Sequence, residues 1–223
     1  MRLISYTYDS VKSPSHDNNE DEVLIIKSDK YALYFLFDGV GSAVHSLDAV
    51  RISSNFISKN YRNYEQGDKF NLSKLMYDAH LRVISSKLPE AFSTYVAMFI
   101  PYQDDQKISI SSMGDSRIYG LSKQYIVQYT EDDSVLGMKN TITKSLGMLS
   151  LNEMDFGQNN FVPKESRYLV SSDGFYNLME KNIQSYYKTL SFSKLDNVKK
   201  SLRRDIVENN TDDASYVLIE IHV

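Results

Sequence analysis

The stretch YFLFDGVGSAVHS, Tyr34 to Ser46, decides how this chain is read. Tyr31 to Phe37 is short, aromatic-rich and free of Gly and Pro, and so reads as a buried strand. At its mouth stand Asp38 and then Gly39-Val40-Gly41. An Asp-Gly pair alone marks a turn and nothing more. What gives Asp38 weight is that the same design recurs. RYLVSSDGFYNL is a second apolar strand ending in Asp173-Gly174. Asp212-Asp213 stand just before the last strand, Glu20-Asp21 just before an early one, and Asp115 in the tight turn of SSMGDSRIYG. Each corner taken singly is explained by the turn preferences of Asp and Gly. Together, in packed sheets, such corners converge on one edge, where carboxylates repel unless cations neutralise them. Oxygen donors without cysteine point to Mg²⁺ or Mn²⁺, and a bare Gly39 lets its carbonyl approach an ion.

The composition agrees with an acidic, globular protein. The 223 residues are 42% hydrophobic and 24% charged, enough for a sizeable core, and no linker or repeat divides them, so one domain over residues 1–223 is expected. Net charge is −4 and no basic stripe appears, which argues against a nucleic-acid partner. The absence of cysteine excludes disulfides, thiolate catalysis and Cys-based zinc sites. The apolar runs are too short for a bilayer, and MRLISYTYDSVKS lacks the apolar centre of a signal peptide. A cytoplasmic monomer without membrane contact is the expectation.

Strands are expected at Glu22–Lys27, Tyr31–Phe37, Thr94–Pro101, Lys107–Met113, Arg117–Leu121, Tyr125–Tyr129, Arg167–Ser171 and Ser215–His222. Helices are expected at Leu47–Asn60, with Ala49, Ile52 and Phe56 at helical spacing, and at Leu72–Leu88, with Leu72, Leu75, Met76, Ala79 and Val83. Shorter helical stretches follow at Phe175–Glu180 and Ser193–Glu208. STYVAMFIPYQDDQKISISSM reads as a hairpin, and MGDSRIYGLSKQYIVQYT as its continuation in a meander. Strands thus cluster apart from helices, which gives an α+β class with packed antiparallel sheets.

The order NED, FDGVGS, ST, MGDSRIY, YTEDDS, ITKSLG, SSDG, DDASYVLI resembles the PPM (type 2C) family of metal-dependent Ser/Thr protein phosphatases. The resemblance spans the chain from His16 to the last strand. It implies a four-layer α-β-β-α sandwich, two antiparallel sheets flanked by helices, with a two-metal site at one end of the sheets. Carried over residue by residue, Asp38 would bridge both ions and Gly39 would offer its carbonyl to one. Asp173 and Asp212 would ligate the other ion. Glu20 and Asp21 would coordinate directly or through water, and Asp115 matches an aspartate associated with a third, weaker ion. A metal-activated water would then attack a phospho-Ser/Thr protein in line, without a covalent intermediate.

The sequence departs from the family pattern at several positions. His16 stands where most members carry a phosphate-gripping arginine, and DGVGSA with a histidine looks like a bacterial branch of the family. A histidine can take that role but lacks the bidentate guanidinium fork. Lys12 and Arg51 are other nearby cations. Val40 falls where some members carry a histidine, Asp213 replaces an asparagine, and the flap segment Thr130–Gly147 is short. His45, His80 and His222 lack ligand spacing and read as structural or surface residues. The alternative to an active enzyme is a pseudophosphatase, the same fold kept as a phosphoprotein-binding or regulatory module.

Overall fold

A computed structural model describes residues 1–67, 69–135 and 141–222. The centre of the expected flap, residues 136–140, lies outside the described residues. The elements in chain order are β1 (Leu3–Val11), β2 (Asp21–Lys27), β3 (Tyr31–Gly39), α1 (Ser46–Asn60), β4 (Glu65–Gln66), β5 (Lys69–Phe70), α2 (Leu72–Ser85), β6 (Ser93–Pro101), β7 (Ile108–Met113), β8 (Arg117–Leu121) and β9 (Ile126–Gln128). There follow β10 (Asn159–Phe161), β11 (Arg167–Ser171), α3 (Asp173–Lys181), α4 (Ile183–Leu190), α5 (Leu195–Asn209) and β12 (Ala214–His222). Two five-stranded antiparallel sheets result, ordered β1-β12-β11-β8-β9 and β10-β7-β6-β3-β2.

Side-chain alternation along the strands builds the layers. In β3 the even residues Ala32, Tyr34 and Leu36 pack toward the other sheet, against Val170, Val217 and Ile219. The odd residues Leu33, Phe35 and Phe37 face Val50 and Ile57 of α1 and Leu75 and Met76 of α2. On the far side, Leu169, Tyr216 and Leu218 meet Phe175 of α3 and Val198, Leu202 and Ile206 of α5. The result is the expected α-β-β-α sandwich. Because strand side chains alternate with period two, β3 is apolar on both faces, a pattern that a sheet packed on both sides requires.

That alternation also aims the acids. Asp38 continues the even set of β3, so it lies on the inter-sheet face at the strand's end. Asp21 sits directly opposite it in the β2–β3 register, and Thr94 opposite it on β6. Val23 and Ile25 put the odd residues of β2, and hence Asp21, on the same face. The apolar filling between the sheets therefore stops in carboxylates at one end.

The structure corrects the expected meander. β7 pairs with β6, but β8 pairs with β11 and β9 in the other sheet. Gly114-Asp115-Ser116 is thus a crossing between sheets, not a hairpin turn. Gly114 makes it possible with φ +92, and a Cβ there would stand 2.6 Å from Thr94 Cγ2. Four strands and a helix also lie where none was expected, among them the two-residue pair β4 and β5. β1 pairs along β12, β10 pairs with β7, and α4 follows α3. Asp173 is the first residue of α3 rather than a loop residue.

Candidate active site

His16, Glu20, Asp38, Gly39, Asp115, Asp173 and Asp212 all line one cleft of about 240 Å³. Asp21 is not in its lining; it lies just beneath, 7% exposed, with Oδ2 accepting from Ser172 Oγ at 2.8 Å. Its Oδ1 is buried without any hydrogen-bond partner. The cleft is therefore assembled from the ends of β2, β3, β11 and β12 and from the β7–β8 crossing. Its acids come from five segments that are far apart in sequence, at Glu20, Asp38, Asp115, Asp173 and Asp212-Asp213.

Local contacts fix the walls. The Glu20 carbonyl accepts from Gly39 N–H at 3.1 Å, and its carboxylate from Ser46 Oγ at 2.6 Å, at the start of α1. A Cβ on Gly39 would stand 3.0 Å from the Cβ atoms of Glu20 and Ser46, so this approach is open to glycine. Ser93 Oγ donates to the Asp38 carbonyl at 3.1 Å, and Thr94 and Ser116 hydroxyls meet at 2.7 Å behind Asp115. Val40 lines the cleft and ties its N–H to the Phe92 carbonyl at 3.1 Å. The flap joins the site at its root. Asp133 exchanges hydrogen bonds with Gly114 at 3.1 and 2.8 Å, and Ile142 reaches the cleft wall. Arg117 ties Asp132 to Glu180 of α3 while stacking on Tyr176, 3.7 Å from its ring centre.

Close backbone approach is required once more, at Gly174. A Cβ there would fall 2.1 Å from the Asp213 carbonyl oxygen. Gly174→Ala therefore forces α3 off the segment that carries Asp212 and Asp213, and is expected to cost about 3 kcal/mol, at the upper end of overpacking penalties. Thermal denaturation of the variant measures this. An unchanged melting temperature would show that the helix can shift freely.

The electrostatics are those of like charges sharing one end of the sandwich. Burial, then Asp21, Asp173 and Asp115, push the Asp38 carboxyl well above its ordinary range. Burial does the same to Asp21, against the hydrogen bond from Ser172. Asp173 is pushed up to about 7 by burial and by Asp115 and Asp212. Asp115 is raised chiefly by burial. Among the described residues no three acidic or histidine side chains form a finished metal cage. The donor set nevertheless fits a hard divalent cation. All its side-chain donors are oxygens, one of them, Asp21 Oδ1, is buried and unpartnered, and the charges that face Asp38 are those of other carboxyls.

Of the cations considered from sequence, His16 alone reaches the cleft. The Lys12 ammonium instead donates to the His16 carbonyl. Arg51 lies in a separate groove with Asn55, Lys59 and Arg82 on the outer helices. His80 is fully buried, its Nδ1 accepting from Gly147 N–H at 3.1 Å, which makes it a structural anchor of the flap's end. His45 pairs with Asp48 and His222 with Glu220. Sequence reasoning passed over Asp213. It is 4% exposed, lines the cleft, and accepts from Ser13 N–H, Glu20 N–H and His16 Nδ1. No local pattern could have shown this, because its partners lie about 200 positions earlier.

Comparison with known proteins bears on the fold that carries this cleft. The Staphylococcus aureus serine/threonine phosphatase Stp1 superposes with a TM-score of 0.81 at 17% identity, over 99% of this chain and 96% of that one. The catalytic domain of the serine/threonine protein phosphatase PstP, solved with two manganese ions, gives 0.74 at 15% identity, over 100% of both chains. RsbX, solved with magnesium, gives 0.71 at 12%, over 98% of this chain and 96% of that one. At such identities the likeness establishes the fold. A search of curated proteins by sequence returned no match. The sequence description of protein phosphatase 2C, however, matches residues 13–210, a span that holds Glu20, Asp21, Asp38, Asp115 and Asp173 and stops short of Asp212, Asp213 and β12, and the chain belongs to the protein phosphatase 2C family.

Proposed function

We propose that this chain is a metal-dependent protein phosphatase that hydrolyses phosphoserine and phosphothreonine esters, its domain spanning residues 1–223. The observation that carries the reading is the Asp21–Asp38 pair. Two carboxylates directly opposite in a strand register are destabilising by themselves, and here Asp173 joins them at the end of a packed core. A fold keeps such an arrangement where cations are to be held.

Asp38, Asp173 and Asp212, with the Gly39 carbonyl, would hold two Mn²⁺ or Mg²⁺ ions, Glu20 and Asp21 supporting them and Asp115 serving a third. Bound there, the ions supply Lewis acidity and a water of lowered pKa. The protein's own groups do the rest. His16 meets the phosphoryl group from the cleft wall, and Ser46 keeps the Glu20 carboxylate turned toward α1. The flap root, latched by Asp133 to the β7–β8 crossing, borders the place where a phosphopeptide would lie.

Hydrolysis of p-nitrophenyl phosphate and of a phosphothreonine peptide, with Mn²⁺, Mg²⁺ or EDTA, tests the reading. Turnover that needs the metal is the expected result. Metal binding by calorimetry with no turnover would instead establish the pseudophosphatase. Neither binding nor turnover would remove the metal site altogether.

A further inference from the structure

Asp213 and His16 form a unit. The Asp213 carboxylate uses both oxygens at once: Oδ1 accepts from Ser13 N–H at 2.6 Å, and Oδ2 from Glu20 N–H at 2.8 Å and from His16 Nδ1 at 3.1 Å. An amide in its place would turn its NH₂ toward one of these donors, so an acid is the residue that satisfies all of them. The neighbouring Asp212 oxygen is 3.9 Å from the same ring nitrogen, too far to share the bond. His16 is itself about one-third exposed and lines the cleft, and its backbone carbonyl is held by Lys12.

The ring thus has one nitrogen committed to a buried acid and one left over. Which ring nitrogen carries the proton is set by the bond the other makes. We propose that Asp213 is a positioning residue that acts through His16, holding Nδ1–H so that the opposite edge of the ring faces the cleft, where Nε2–H of the imidazolium donates to a phosphoryl oxygen. The choice of phosphoryl ligand rests on the function proposed above; the placement of the ring does not.

Two measurements test it on the full chain. The first is a long-range ¹H–¹⁵N spectrum of the metal-free protein with His16 in its neutral form. The expected spectrum shows the His16 proton on Nδ1, and Asp213→Ala moves it to Nε2. A wild-type proton on Nε2 would overturn the assignment, whether or not the protein turns over. The second is a double-mutant cycle on metal-dependent hydrolysis of p-nitrophenyl phosphate. Asp213→Asn is expected to lower kcat/KM about tenfold in the wild-type background and by less than about twofold on top of His16→Ala. Losses that multiply, or an Asp213→Asn enzyme within about twofold of wild type, would show that Asp213 does not work through the ring. A wild type without turnover would sink the phosphatase reading alone, and the spectrum would still decide the positioning.

Discussion

Asp38→Asn is expected to reduce metal-dependent phosphatase activity by at least about a thousandfold while the protein stays folded. The substitution keeps the shape of the side chain and removes its charge. Asp38 is the carboxylate at which the others meet. It is opposite Asp21 in the strand register, and its own ionisation is opposed by burial and then by Asp21, Asp173, Asp115 and Asp212. Its backbone is held independently of that charge, by the β2 and β6 ladders and by Ser93 Oγ on its carbonyl. Function and folding therefore separate at this residue. In the absence of metal the variant should melt no lower than wild type, since one of several repelling charges has gone. Calorimetric titration with Mn²⁺ should show weakened binding. A variant that turns over at the wild-type rate would mean that Asp38 is a strand terminator and that the cleft chemistry lies elsewhere.

How far the sequence could be read depended on the range of the interactions. β3, β6 and β11 were plain because their burial on both faces writes an unbroken apolar run, and α2 because its stripe repeats at helical spacing. The acids were visible for the same reason: Asp38 and Asp173 each end such a run, and Glu20-Asp21 and Asp212-Asp213 stand where a strand begins. β1 was not visible. It is an edge strand with the polar sequence LISYTYDSV, and its pairing with β12 joins the two ends of the chain. The β7–β8 connection misled because a tight Gly-Asp-Ser turn looks alike whether it closes a hairpin or crosses between sheets. Only the position of β11, which claims β8 as its neighbour, distinguishes the two. Asp213 was misjudged on similar grounds. Its neighbour Asp212 has the more exposed carboxylate and was the residue to which the resemblance assigned a ligand's role, whereas the work of Asp213 depends on a loop at the other end of the chain.

The metal-free protein should be more stable at pH 5.5 than at pH 7.5, and Mn²⁺ should remove most of that difference. Asp21, Asp38 and Asp173 all have carboxyls raised in the folded state, Asp173 to about 7, against an ordinary value near 3.8. Between those limits the folded chain keeps protons that the unfolded chain has released. The stability these groups contribute is thus complete below about pH 4 and lost as pH rises through the folded values. His16, raised by its hydrogen bond to Asp213, acts in the same direction. The window from 5.5 to 7.5 isolates this effect, because ordinary surface carboxylates are already ionised throughout it. A divalent ion replaces the lost protons as counter-charge. At a hundred times its dissociation constant it stabilises by about 2.7 kcal/mol, which for a chain of this size raises the melting temperature by roughly 5–10 °C. The rise should be smaller at pH 5.5, where protons compete for the same oxygens. In Asp38→Asn both the pH slope and the Mn²⁺ shift should shrink together, since one residue serves both. A melting temperature indifferent to pH and to Mn²⁺ would mean that the carboxylates are too well solvated to repel, and a cleft of that kind would have no reason to recruit an ion.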